Sequence, residues 1–158
     1  MFSRKIVSAS VSSTLLAIVL SLIMATFYRE SWIVGQNYFI STAAILNIFL
    51  LYLFPAVLIY GVITSIISDT IAEFLAKKRH NLYMVLIISG ILHILFGLVL
   101  IPYSLIAAIT FFIIDKILEK KKNTGFSWLQ AFLFLLIPIS LWLLTWGVVG
   151  IVDYVEMN

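Results

Sequence analysis

The polar side chains set deepest in apolar sequence are His93, inside the run 82–101, and Asn47, inside the run 39–68. An ionisable group at that depth is expensive to keep and is a candidate functional site by default. A neutral imidazole costs far less than a charge, so His93 reads first as interhelical glue bonded to Asn47, Ser89 or Tyr60. The sharper reading is a pH-sensing or substrate-binding group. The other histidine, His80, sits beside Lys77-Lys78-Arg79 at the edge of the apolar stretch, which leaves no pair for a metal. The carboxylates form two i,i+4 pairs, Asp69 with Glu73 and Asp115 with Glu119, and paired acids on one helix face are what general acid–base chemistry uses. Both pairs lie among lysines at the margins of apolar runs, so they read as solvated helix ends. If the two ends are neighbours, the acids can pair with the opposing basic triplets and hold that face together. With no cysteine, disulfides, thiolate metal sites and cysteine catalysis are excluded. No catalytic, cofactor-binding or metal constellation follows, and the chain reads as non-enzymatic.

The elements that must position these groups are set by composition. Of 158 residues, 63% are hydrophobic and 11% charged, against about a quarter charged in soluble domains. Most of the chain therefore belongs in a lipid bilayer, as one all-α helical bundle over residues 1–158 with no room for a second domain. Nine of the ten Lys and Arg residues fall in three clusters: Arg4-Lys5, Lys77 to Arg79, and Lys116 with Lys120 to Lys122. Such clusters beside spans are orientation signals, which argues against nucleic acid as a partner. They also suit anionic inner-leaflet lipids, at roughly 1 kcal/mol per residue near the surface.

The stretch 80–114 contains no Asp, Glu, Lys or Arg and carries Pro102 near its middle. As a single helix it would run roughly 50 Å at about 1.5 Å per residue, too long for a hydrocarbon core of roughly 30 Å. A tight hairpin near Pro102 places both flanking basic clusters on one side, whereas a single crossing, in a four-span chain, would put one cluster outside. The positive-inside rule favours the hairpin. Five transmembrane helices result, at about 6–28, 39–68, 82–101, 103–118 and 128–152, with the amino terminus inside and the carboxyl terminus outside. Tyr28, Trp32 and Tyr38 flank the first loop as a headgroup-level aromatic belt. The second helix carries Pro55 and continues past Ser68 as an interfacial extension, with Ile67, Ile71, Phe74 and Leu75 on one face and Asp69, Glu73 and Lys77 on another.

A partial repeat complicates the count. The series Leu51…Pro55…Ile63-Thr64…Asp69-x-Ile71-x-Glu73 recurs, with a one-residue gap, as Leu98…Pro102…Ile109-Thr110…Asp115-x-Ile117-x-Glu119. Internal repeats build many membrane proteins. A true duplication would make Pro55 a second hairpin tip and give six spans, at the cost of placing Arg4-Lys5 outside.

Tyr60-Gly61…Ser65…Ser68-Asp69, His93…Phe96-Gly97 and Ala107-Ala108…Asp115 together resemble a family of small multi-pass membrane proteins of bacillus-type bacteria, over about residues 50–120. The resemblance implies a bacterial plasma membrane and brings no activity, substrate or site residue with it.

Two segments are candidates for helix packing. Ala17-xxx-Ser21-xxx-Ala25 places small residues one turn apart on the first span, and Gly147 and Gly150 lie in the last, beside Trp142 and Trp146. The expected partners are the lipid bilayer and another membrane protein or a second copy. The function expected is that of an accessory, regulatory or protective component of the cell envelope acting through helix–helix contacts. The alternative is a small oligomeric transporter or channel subunit, against which stands the lack of any acidic or basic residue in a span interior.

Overall fold

The computed structural model describes residues 2–27, 37–76, 82–98, 103–121 and 125–157. Every element among them is helical: α1 (Phe2–Phe27), α2 (Tyr38–Ala56), a π-helical turn (Val57–Gly61), α3 (Val62–Ala76), α4 (Leu82–Gly97), α5 (Tyr103–Lys121) and α6 (Trp128–Met157). Pro102, Arg29, Glu30, Trp32 and the basic triplet at 77–79 lie outside the described residues.

Local chemistry sets the helix starts. Asn37 caps α2, its side-chain oxygen accepting from the Phe39 amide at 2.9 Å. Ser127 and Gln130 form a reciprocal capping box ahead of α6, each side chain accepting from the other's backbone N–H at 3.2 Å. Gly125, at φ 73°, turns the chain into that cap in a conformation that favours glycine.

The helix does not reverse at Pro55. It runs without a break from Tyr38 to Ala76, 39 residues in all, and takes up the missing proline donor in the π-turn that follows. The six-span alternative, which made Pro55 a hairpin tip, is overturned by this continuity. The second copy of the repeat behaves differently, with α4 ending at Gly97 and α5 starting at Tyr103. These two helices pack antiparallel. Ser104 donates to the Gly97 carbonyl, and a Cβ added at Gly97 would lie 2.9 Å from that of Ala108. Only glycine permits that approach.

α1 is the central element, packed against α2, α5 and α6, while α3 packs against α4. Its centrality follows from side-chain size. Ser8, Ser10, Ser12, Ser13, Ala17, Ser21 and Ala25 are all buried, and small residues let neighbouring backbones come close. Ser8, Ser10 and Ser13 donate to the carbonyls of Arg4, Ile6 and Ala9 one turn back, so a polar face is buried without an orphaned hydroxyl. One apolar core joins Leu16 and Leu20 to Val57, Val62 and Phe111, and another joins Ala17 to Leu46 and Leu50.

The expected interfacial extension of the second helix is corrected in α3. Ser65, Ser68, Asp69, Ala72 and Ala76 face inward, while Ile67, Ile71, Phe74 and Leu75 point out. The apolar side is the outer one because α4, and Lys5 of α1, cover the polar side.

Candidate functional site

The groups with the most chemistry in them meet at one end of the bundle, where α1, α3, α4 and α5 converge. Lys5 is completely buried there. Its ammonium donates to Ser65 Oγ at 2.6 Å, Asp69 Oδ2 at 2.5 Å and Asp115 Oδ2 at 2.6 Å, which uses all three of its hydrogens. Arg4 reaches past it to Asp115 Oδ1 at 3.0 Å and to Glu119 at 3.1 Å. Lys116 pairs with Asp69 Oδ1 at 3.3 Å and Glu119 Oε2 at 3.0 Å. Hydroxyls complete the shell, Ser89 donating to Asp69 Oδ1 at 2.7 Å and Ser8 sharing its one hydrogen between the Arg4 carbonyl and Asp115 Oδ1 at 3.1 Å.

Three cations thus face three carboxylates, and each oxygen of Asp69 and Asp115 has a partner. A buried network of this kind fixes geometry when every member is satisfied and is costly when one is missing. The expectation of solvated helix ends is therefore wrong for Asp69 and Asp115, which are 5% and 1% exposed, and holds for the second acid of each pair, Glu73, which is exposed, and Glu119 at the rim, whose side chain is 46% exposed. The two aspartates are neighbours, as the sequence allowed, but among the described residues their partners are Arg4, Lys5 and Lys116. Arg4 and Lys5 are thus more than an orientation signal. Asp69 and Asp115 are also equivalent positions of the partial repeat, and they approach Lys5 from two helices at nearly equal distance.

His93 lies one turn further along α4 from Ser89 and is buried. Its Nδ1 is 2.8 Å from the Ser89 carbonyl. A carbonyl only accepts, so Nδ1 carries a proton and donates. The ring is set against Phe112, centroids 5.0 Å apart, and stacks at 6.3 Å on Phe111. Of the three partners expected for His93, only Ser89 is realised, through its backbone. Tyr60 instead donates to the Phe96 carbonyl at 2.9 Å. Asn47 serves a different interface, donating from α2 to the Trp142 carbonyl at 3.1 Å and to Thr145 Oγ1 at 3.4 Å on α6. The two candidate buried polar residues are thus separate.

The small-residue candidates divide as well. Ala17, Ser21 and Ala25 are buried, whereas a Cβ at Gly147 or Gly150 would meet nothing within 4 Å. Trp146 beside them is exposed. Sequence reasoning missed Lys5 as a central residue because a lysine next to an arginine ahead of an apolar run reads as a flank. The signal available was the serine and alanine spacing at 8, 9, 10, 12, 13 and 17, which continues the packing face of α1 back towards Lys5.

Among the described residues, fold and site define an all-helical protein with three helices, Phe2–Phe27, Tyr38–Ala76 and Trp128–Val155, long and apolar enough to cross a membrane. No family model matches the chain, and no curated protein or solved structure does.

Proposed function

We propose that this chain is a multi-pass protein of the cell membrane that acts without catalysis, through helix–helix contacts, as an accessory, regulatory or protective component of the envelope. Its inside-out partition of residues supports the membrane setting. Serines, threonines, Lys5 and two aspartates are buried, while Leu143, Leu144, Trp146, Ile151 and many other large apolar residues face outward. An exposed apolar surface of that extent suits lipid rather than water as solvent. In this reading there are five crossings, with the amino terminus cytoplasmic and the carboxyl terminus outside. α4 and α5, with 16 and 19 residues, are short crossings of about 24 and 28 Å that modest bilayer thinning accommodates.

The observation that carries the non-catalytic reading is saturation of the ionic centre. The lysine hydrogens and aspartate oxygens are spent on one another, so the centre holds helices in place and leaves no charge free for a solute. A second reading, a small oligomeric transporter or channel subunit, draws on the same residues. Buried charge at Lys5, Asp69 and Asp115 was absent from the sequence-level view of the spans, and an ion could displace Lys5 from its carboxylates.

Crosslinking in native membranes tests the first reading. It expects capture of one specific membrane partner or a second copy, lost on Gly147→Trp with the protein still folded. Failure to capture anything, with solute flux through the reconstituted protein that Lys5→Met abolishes, would establish the second instead. For the crossings, the absence of native cysteine allows single-cysteine labelling at Phe2, Tyr103, Lys121 and Met157. External reagent should reach 103 and 157 only, and labelling at Phe2 from outside overturns the orientation.

A further inference from the structure

Above the ionic centre, a cavity of about 240 Å³ opens between the π-turn and the α4–α5 hairpin. Tyr60, Gly61 and Thr64 form one wall, Phe96, Tyr103 and Ala107 form another, and His93 also lines it. Its volume exceeds the roughly 150 Å³ that holds a benzene ring in an engineered apolar cavity. Tyr52 and Tyr103, both exposed, mark its mouth on the outer, apolar side of the bundle.

Three of the hydroxyls lining this cavity, those away from the two tyrosines at its mouth, are committed elsewhere. Tyr60 donates to Phe96 O, Thr64 to Tyr60 O at 2.8 Å, and Ser104 to Gly97 O. His93 is different. It is 4% exposed, and its Nε2 is buried with no partner among the described residues. Because Nδ1 donates to Ser89, the neutral ring presents Nε2 as a lone-pair acceptor. Leaving such an acceptor empty in an apolar setting costs free energy, and a ligand hydroxyl recovers it. Few polar groups in an otherwise apolar, largely preformed pocket is the usual makeup of a small-molecule site.

We propose that this cavity is a binding site for a small apolar molecule carrying a single hydroxyl, of the phenol or naphthol class, which enters from the bilayer and donates to His93 Nε2. The hydroxyl supplies orientation, and the walls supply the apolar contact. The π-turn after Pro55 has a role in this. It widens the helix at Val57–Gly61, next to the cavity, which a regular helix would fill more closely. The site is independent of the partner contacts proposed for α6 and of the saturated charges below it.

The chain has two histidines, so a His80→Gln variant labelled with ¹⁵N-histidine reports on His93 alone. In purified protein in nanodiscs, 1-naphthol should move the Nε2 resonance saturably, and naphthalene should not. Binding of 1-naphthol should be about tenfold tighter than that of naphthalene, the ratio expected for one hydrogen bond of about 1.4 kcal/mol. His93→Phe should abolish that preference. Ala56→Phe, at an exposed residue lining the cavity, should block the site and remove the resonance shift without touching the histidine or the packed core. An unmoved Nε2 resonance, equal binding of the two probes by the wild-type protein, or an undiminished shift in Ala56→Phe each overturns the proposal.

Discussion

α1 and α6 have the same mean hydropathy, 2.2 over their most apolar 18 residues, yet 56% of that window is buried in α1 and 11% in α6. Both are apolar enough to cross a bilayer; only one is wrapped by the rest of the chain. The difference lies in side-chain size. α1 turns Ser10, Ser13, Ala17 and Ser21 towards its neighbours, and its hydroxyls are satisfied within its own helix. α6 carries Leu, Ile and Trp on most of its circumference, and many of these, Leu133, Leu144, Trp146 and Ile151 among them, are exposed. In the membrane setting proposed above, where surroundings are as apolar as the core, hydrophobicity does not decide which helix is central. Close approach and polar complementarity do.

The sharpest way to break the comparison is at the charged end of α1. Lys5→Met keeps the length and apolar stem of the side chain but leaves Asp69 and Asp115 buried against each other with no ammonium between them. Removing one member of a buried ion pair costs about 3–5 kcal/mol. We expect a loss of that size in SDS-titrated unfolding of the purified protein, or failure to accumulate in the membrane. Glu119→Gln, at the half-exposed rim of the same network, should cost about 1 kcal/mol or less. If Lys5→Met were as mild as Glu119→Gln, the network would be no more than a surface feature and α1 would lose its claim to be anchored by charge.

Next in size is a direct exchange between the two helices. Ala17→Leu adds bulk where α1 meets α2, in the cluster with Leu46 and Leu50. Overpacking of this kind costs about 1–3 kcal/mol. Gly147→Leu adds the same bulk where a Cβ meets nothing within 4 Å, and such a change should stay within about 0.5 kcal/mol. The same unfolding titration reads both. A cost at Gly147 matching that at Ala17 would show that α6 is packed on that side too, by a second copy or another protein retained in the micelle.

How far the sequence reveals this arrangement depends on the type of interaction. The helices themselves are legible, because length and hydropathy mark apolar runs. Ion pairing by Asp69 and Asp115 is legible only on the condition that their two helix ends be neighbours, whereas the Ala17-Ser21-Ala25 face is legible through its spacing. Three features escape. Pro55 and Pro102 look equivalent, yet the helix passes through the first; a proline removes one donor and its steric cost can be absorbed by a π-turn, so it permits a reversal without dictating one. The inward face of α3 is hidden because a helix with Ile, Phe and Leu on one side and Ser and Asp on the other reads as an interfacial extension with its acids in water, and no local pattern shows that α4 and Lys5 cover that polar side. Lys5 is obscured by its neighbour Arg4, since no local pattern shows that carboxylates more than sixty residues away in sequence will meet it.

The smallest effect belongs to Asn47, which the sequence had singled out as a partner for His93 and which instead bridges α2 and α6. Its amide donates to the Trp142 carbonyl, which also accepts from Thr145 Oγ1 at 3.0 Å within α6. Asn47→Leu therefore removes a donor without orphaning that carbonyl, and Leu fits a surrounding already made of Leu46, Leu50 and Trp142. Hydrogen bonds between helices in a membrane average about 0.6 kcal/mol and reach about 1.7, and the added apolar contact offsets part of that. We expect a loss under about 1 kcal/mol in the unfolding titration, and a Thr145→Val change in the same background that adds almost nothing, because its longer 3.4 Å contact with Asn47 is already gone. A loss near that of Lys5→Met would instead place Asn47 at a second organising centre, and the contrast between a charge-anchored α1 and a loosely attached α6 would fail.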